Sequence, residues 1–550
     1  MLKNYLLFYL AFFIIQVNAQ TTVGLLQHTD QSIDNGYVLF SPISSKKTYL
    51  INKCGQEIKQ WTSLYNPGQS VYLLEDGTIL RPGKINNSTF TAGGNGGVIE
   101  KFDWDGNLIW RYAFSDGDKC QHHDVRQMPN GNVLIISWER KTSAEAIAQG
   151  RNPSLTTANV WSEQIVELQP VGITEANVVW EWHAWDHLVQ EFDTSKPNYA
   201  VVSENPNLIN MNYRALANTE DWLHINSIDY NADLDQIMLS THSFSELWII
   251  DHSTSSAEAA SHTGGNSGRG GDLLYRWGNS LAYNQGSPSD RKFWGQHNAH
   301  WIDSTLPFGN QIMVFNNGTG RIGGSYSTVE IINPPVQGFG YSQTLPFGPS
   351  DQSWIYNEGN IHAYYAQNIS GSQQLSNGNV LICNGPEGRF TEVDTGGNTV
   401  WEYVNAIGNG GIANQGTIAT GNLVFRCGFY PSNYLGLSNQ TLTVGNIIEN
   451  SNTLSELCNL TLAAENNEDD SRLEVYPNPA NANIYIQTKN QEVITKLELF
   501  TFDGKLVFQE SVSINQLNPI IPITSITNGL YFLRVTLIDQ VFFSKIVIQH

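Results

Sequence analysis

The amino-acid sequence predicts an all-β protein, a six-bladed β-propeller followed by a small C-terminal β-sandwich. Three observations carry that prediction. Gly, Asn, Ser, Thr, Trp and Tyr are frequent, turn dipeptides such as Asp105-Gly106 and Asn130-Gly131 separate short apolar runs, and no long stripe of helical period interrupts them. A unit of strand, Gly-Asn or Asp-Gly turn and second apolar strand recurs along the chain. Near Glu465 the character changes, because the run 463–470 (AAENNEDD) has nothing to bury and reads as a linker.

The recurring unit occupies 70–80, 123–136, 224–239, 297–315, 368–382 and 415–425. A companion hairpin closing on Trp follows at 49–61, 99–110, 165–180 and 390–401, and 273–277 keeps only its end. Two hairpins make the four strands of one blade, so six units make six blades. Trp61, Trp110, Trp180, Trp277 and Trp401 are expected to fill the space between blades. The residue opening each innermost strand belongs near the mouth of the central channel. Three of those positions are His123, His224 and His297, with His122 beside the first, and the others are Ser70, Asn368 and Gln415. Histidines drawn to one slot from thirteen in the chain point to a common site.

The ends and the charge bound the function. Lys3, the apolar run 6–17 and the small residues Val17 and Ala19 read as a signal peptide over 1–19, and no later stretch is apolar enough to span a membrane. The propeller is then expected over 20–462, the linker over 463–472 and the sandwich over 473–550. A net charge of −22 argues against nucleic acid or an anionic lipid surface as partner. Cys54, Cys120, Cys383, Cys427 and Cys458 show no C-x-x-C spacing, which gives no support to a zinc or redox motif; disulfides and unpaired thiols both stay open.

In the last segment, Tyr476-Pro477-Asn478-Pro479, Phe502-Asp503-Gly504-Lys505, Asn528-Gly529-Leu530-Tyr531 and Ser544-Lys545-Ile546-Val547 follow in order. This resembles the type A C-terminal sorting domain of the type IX secretion system. The resemblance implies export through the periplasm of a Bacteroidota-type cell to the surface or medium, with the type IX machinery as partner.

Within 40–430, the segments Gln121-His122-His123-Asp124, Asp221-Trp222-Leu223-His224-Ile225-Asn226-Ser227, Gly295-Gln296-His297-Asn298-Ala299-His300 and Asn317-Gly318-Thr319-Gly320-Arg321 resemble the arylsulfotransferase family. The resemblance implies a six-bladed propeller that moves a sulfuryl group from a phenolic sulfate ester to a phenolic acceptor through a sulfated histidine. No nucleotide sulfate donor, cofactor or metal takes part. It assigns His224 and His297 as catalytic residues and Arg321 as an oxyanion clamp, with His123, Asn226, His242 and His300 contacting substrate. In the family the sulfated histidine lies beyond the clamp arginine, yet 379–390 contains no histidine here. His362 is the nearest. The nucleophile is therefore His362, His297 or His224, unless the chain binds sulfate esters without turning them over.

The chemistry suits the residues. A sulfate ester needs donors and positive charge where oxygen charge develops; Arg supplies a planar fork, and His donates, accepts or attacks near neutral pH. Two other classes compete: a non-catalytic propeller binding glycans or sulfated polymers, and a metal-dependent lyase or hydrolase built on clustered His. The Gly-rich 264–271 lacks the phosphate-loop pattern and its structural setting. His183 and His187 are expected in a loop, His252 and His262 in solvent.

Overall fold

A computed structural model describes residues 22–357, 365–451, 458, 473–488, 493–501, 505–512, 519–537 and 541–550. The expected signal peptide, the expected linker and His362 lie outside the described residues. Two compact units emerge, one dominated by Ser32–Asn452 and the other by Thr453–His550.

The larger unit is built from antiparallel meanders of four strands. In the second sheet Tyr72–Leu73, Ile79–Lys84, Gly97–Phe102 and Leu108–Ala113 lie side by side in chain order. The third holds Lys119–Gln127, Val133–Thr142, Asn159–Val171 and Glu175–His183, and the fourth Ile225–Asn231, Gln236–Thr241, Glu246–Asp251 and Tyr275–Trp277. His297–Trp301, Ile312–Asn316, Thr328–Ile332 and Trp354–Tyr356 make the fifth. The sixth runs Gly371–Gln374, Val380–Asn384, Arg389–Val393 and Thr399–Val404, with Gly24–His28 added at its outer edge.

The first sheet departs from the local pattern. Gly36–Pro42, Lys47–Asn52 and Glu57–Thr62 are joined by Val424–Pro431 from far along the chain, in register Val38↔Phe429 and Phe40↔Cys427. The hairpin expected over 415–425 does not form; only its last two residues enter this strand. The edge of the Gly36–Pro42 strand is filled by the chain's late return, which leaves no unpaired edge there.

Indole rings join neighbouring sheets as expected, and their N–H groups reveal how. Trp61 donates to the Asp103 carbonyl at 2.9 Å, Trp110 to Glu175 at 2.9 Å, Trp180 to Thr254 Oγ1 at 3.2 Å and Trp277 to the Pro349 carbonyl at 2.7 Å. Trp401 of the sixth sheet donates to the Lys53 carbonyl of the first at 2.6 Å, so the last sheet packs back on the first. Each ring takes on the order of 200 Å² out of water, worth about 5 kcal/mol by transfer, while the satisfied N–H avoids a desolvation cost.

In the smaller unit, Leu473–Tyr476, Asn483–Thr488 and Ile520–Pro522 form one sheet, and Leu506–Ser511, Ile494–Thr501, Gly529–Leu537 and Val541–Ile548 another. Alternation places Ile484, Ile486, Leu497, Leu499, Leu533 and Val535 in one shared apolar cluster.

Candidate active site

The innermost strands of the third, fourth and fifth sheets share an unusual start. His123, His224 and Asn298 each adopt left-handed backbone, with φ of 53°, 53° and 54°. A bulge accompanies each: His123 lies within the irregularity opposite Ile135/Ser137, Asn298 within that at His297/His300, and His224 just before that at Ile225/Ser227. Bulges re-aim side chains, and a left-handed non-glycine persists only where the surroundings hold it. Here the backbone holds it: His123 N–H donates to the Gly94 carbonyl at 2.8 Å, and the His224 carbonyl accepts from His242 N–H at 3.2 Å. A Cβ on Gly94 would lie 1.8 Å from His123 Cε1, so only glycine fits beside this ring. The register corrects one expectation. Asn298, not His297, shares the slot of His123 and His224; His297 stands one residue earlier.

The rings nevertheless converge. His123 and His224 lie with centroids 4.6 Å apart, His224 and His242 at 5.2 Å, His242 and His297 at 5.4 Å. Phe425 closes the group, 6.0 Å from His123 and 6.4 Å from His297. Each histidine has its own partner. His224 Nδ1–H donates to Asp221 Oδ2 at 2.5 Å, and Trp138 Nε1–H holds the other Asp221 oxygen at 3.1 Å. His297 Nδ1 lies 2.7 Å from Asn317 Oδ1. The Asn317 amide nitrogen donates to the Ala366 and Ile369 carbonyls at 2.8 and 3.0 Å, which fixes the flip of that amide. His297 Nδ1 therefore carries the proton, and Nε2 keeps a bare lone pair. Behind them His122 links Glu163 Oε2 and His123 Nδ1, both at 2.7 Å, and stacks on Trp138 at 3.9 Å.

Electrostatics divides the rings. Burial, then the charge of His224, holds His122 and His123 well below the usual histidine range. Burial pushes His242 down to about 3, and burial with His242 as neighbour holds His297 well below its usual value. These rings are neutral at physiological pH. Burial also opposes charge on His224, but the Asp221 carboxylate more than offsets it and leaves this imidazole above its usual range. Buried Glu163, facing Asp221, is held well above the carboxylate range and retains a proton readily.

The other expected residues lie elsewhere. Arg321 turns to its own hairpin: its guanidinium binds Thr328 Oγ1 at 2.7 Å and Glu330 at 3.3 Å and lies over Trp294 and Tyr326. No contact among the described residues joins it to the histidines. His300 lines a cavity of 710 Å³ with Arg126, Trp301 and Arg426, a cavity that none of the four converging histidines lines. Asn226 spans two sheets, donating to the Gln296 carbonyl at 2.8 Å.

Sequence reasoning assigned no role to Asp221, Asn317, Glu163 or Arg426. The first two stand inside segments singled out for His224 and for Arg321, three and four residues from them. Arg426 is a cation in an apolar strand, paired with buried Asp124 at 2.7 Å directly after Phe425.

Comparison with known proteins adds the following. The family model Arylsulfotransferase (ASST) matches residues 82–411, and the model Secretion system C-terminal sorting domain matches residues 474–549. No curated relative matches. Among solved structures, a protein of unknown function from Bacteroides caccae is 12% identical, with 72% of this chain and 98% of that chain covered at a TM-score of 0.38. Virginiamycin B lyase from Staphylococcus aureus is 10% identical, covering 70% and 85% at 0.32. The Cps50 (Swd1) β-propeller domain of Myceliophteria thermophila is 8% identical, covering 69% and 84% at 0.34. The type IX sorting domain indicates export to the cell surface or medium. No helix among the described residues is long and apolar enough to cross a membrane.

Proposed function

The chain belongs to the arylsulfotransferase family, and we propose that it moves a sulfuryl group from an aryl sulfate to a phenolic acceptor in two steps, with His297 as nucleophile and His224 as acid and base. The family supports aryl sulfotransferase activity in general. The observation that carries the finer reading is the pairing of a neutral, tautomer-fixed imidazole with a carboxylate-held imidazolium in one cluster.

In the first step His297 Nε2 attacks sulfur and the sulfur–aryl oxygen bond breaks. The departing oxygen takes the Nε2 proton of His224, whose charge Asp221 sustains until that moment. In the second step the acceptor hydroxyl gives its proton back to His224 while its oxygen attacks sulfur, and the sulfur–nitrogen bond breaks. His297 is freed unchanged. The sulfuryl oxygens carry their charge among His123, His242 and the His224 cation, with Arg426 beneath Phe425 supplying a further positive field. Arg321 acts at one remove, holding the hairpin that presents Asn317. The donor is the ester itself, so no nucleotide sulfate is needed.

The surrounding architecture follows the same reading. Six sheets are six blades closing on one channel, the propeller spans 20–462, a linker covers 463–472, and 473–550 is a β-sandwich that directs passage through the periplasm to the type IX machinery.

The test is turnover of a chromogenic aryl sulfate with and without phenol, followed by mass analysis of protein quenched early with donor alone. A chain gaining one sulfuryl group on a peptide containing His297, and losing it to phenol, supports the mechanism. His297→Gln should release no aryl alcohol. Turnover that persists in His297→Gln rejects His297 as nucleophile, and folded protein that binds aryl sulfate but never releases product favours a binding propeller.

A further inference from the structure

Away from the channel, His187, His262 and Asp272 form a second cluster. His187 follows the short turn Ala184–Asp186 at the end of the third sheet, and the other two flank the Gly-rich loop. One ligand-capable atom from each lies within 4.8 Å of the others. Asp272 Oδ1 stands 2.8 Å from His187 Nδ1 and 2.7 Å from His262 Nδ1. The remaining His187 nitrogen, Nε2, donates to the Ala259 carbonyl at 2.8 Å.

These contacts do not balance with neutral groups alone. A carbonyl oxygen only accepts, so Nε2 carries the N–H, and a neutral imidazole then presents a bare Nδ1 lone pair. That lone pair faces a carboxylate oxygen, on a ring that is fully buried. Some cation must stand between them, either a proton or a metal ion. A metal-ligating histidine commonly donates its other N–H to a backbone carbonyl, which sets the tautomer and aims the free nitrogen. His187 has that arrangement.

The neighbourhood is built around this ring. Trp182 stacks on it with planes 4° apart and donates its own N–H to the Gly271 carbonyl at 2.7 Å. A Cβ on Gly271 would fall 2.0 Å from the Ala259 carbonyl and 2.5 Å from His187 Nε2, so the loop needs glycine to come this close. His262, by contrast, is 60% exposed and leaves the open side of the cluster to water.

We propose that His187, His262 and Asp272 bind one zinc-class divalent cation, through the two Nδ1 atoms, a carboxylate oxygen and solvent, and so fasten the loop 260–272 to the end of the third sheet. Two imidazoles, one carboxylate and a solvent ligand suit tetrahedral zinc, whose bonds of about 2.0–2.2 Å place neighbouring ligand atoms roughly 3.3–3.6 Å apart. The two edges from Asp272 Oδ1, at 2.8 and 2.7 Å, reach that spacing by opening roughly 0.5–0.9 Å. The site is independent of the reaction assigned to the channel.

The experiment uses the full chain without an affinity tag, stripped with chelator and then loaded with Zn²⁺ or Co²⁺. Retained metal is counted by elemental analysis, and Co²⁺ absorption reports the ligand field. The expected result is one equivalent more in the wild type than in His262→Ala or Asp272→Asn, with the visible Co²⁺ bands lost in both. Zn²⁺ should raise Tm in the wild type and not in His262→Ala, whose exposed side chain the fold does not need. His224→Gln should keep the equivalent. No retained metal in the wild type overturns the proposal, as does metal that survives His262→Ala and disappears in His224→Gln, which would place the ion among the channel histidines.

Discussion

His252 and His224 both have their charged form favoured by carboxylates, and they serve opposite ends. His252 sits between two of them: Nδ1 donates to Asp235 at 2.7 Å and Nε2 to Glu167 at 3.1 Å, while the ring lies 4.7 Å from Trp180. Burial resists the charge, but the bonds to Asp235 and Glu167 hold its pKa up to about 9. Both nitrogens are spent, and the imidazolium can only join the third sheet to the fourth. His224 has a single carboxylate, Asp221, and Nε2 remains for a visitor among three neutral rings. A histidine charge is structural when both donors are engaged and chemical when one is free.

Removing the carboxylate should separate the two roles most sharply at His224. Asp221→Asn withdraws the support for the imidazolium and frees the ring to take the other tautomer, so kcat should fall by about 10³–10⁴-fold, the range of a lost acid and its orienting partner. Thermal unfolding should move by only a few degrees. Wild-type activity should also fall as pH rises through the elevated His224 value, since the charged form is the acid, and residual activity of Asp221→Asn should lose that limb at lower pH. An unchanged pH profile in Asp221→Asn would remove His224 from the proton transfers.

The same operation on the second histidine should leave chemistry alone. The folded His252 pKa lies above its unfolded value of about 6.5, so its stabilisation is complete below that value and disappears as pH climbs through about 9. With a side chain 11% exposed, the shift corresponds to roughly 3 kcal/mol at most. His252→Gln should therefore lower unfolding free energy by roughly 2–3 kcal/mol at pH 6 and by far less at pH 10, with kcat unaltered. Urea unfolding at the two pH values checks it. An equal loss at both would mean that packing against Trp180, not charge, is what His252 contributes.

How much of this could be read beforehand follows from the range of each interaction. Hairpins such as Val133–Thr142 and its neighbours announce themselves because turn and strands are contiguous, and the closing tryptophans fall in the fourth strands. The Val424–Pro431 strand could not be placed, since its partner Gly36–Pro42 is nearly four hundred residues away and nothing local requires the pairing. His252 was expected in solvent for the same reason: its polar Ser- and Ala-rich surroundings look exposed, while Glu167 arrives from another sheet. At the converging histidines, residue identity was legible and the tautomers were not. These depend on Asn317 and Asp221, whose roles appear only once amide flips and ring directions are known.

The finest distinction between the two charged histidines lies behind Asp221, where Trp138 donates to one carboxylate oxygen and stacks its ring on His122. Trp138→Phe keeps a ring in place but removes that donor, leaving Asp221 one hydrogen bond fewer. A bond to a charged group is worth about 1.5–3 kcal/mol, though most of that change acts on ground and transition states alike. The part felt by catalysis is the altered grip on His224: a carboxylate freed of one donor holds the proton of His224 more tightly. The limb of the pH profile should move upward, opposite to its shift in Asp221→Asn, and kcat should drop by only about three- to tenfold because the acid surrenders its proton less readily. A downward shift would mean that Trp138 positions Asp221 rather than tempering its charge, since a displaced carboxylate supports the imidazolium less.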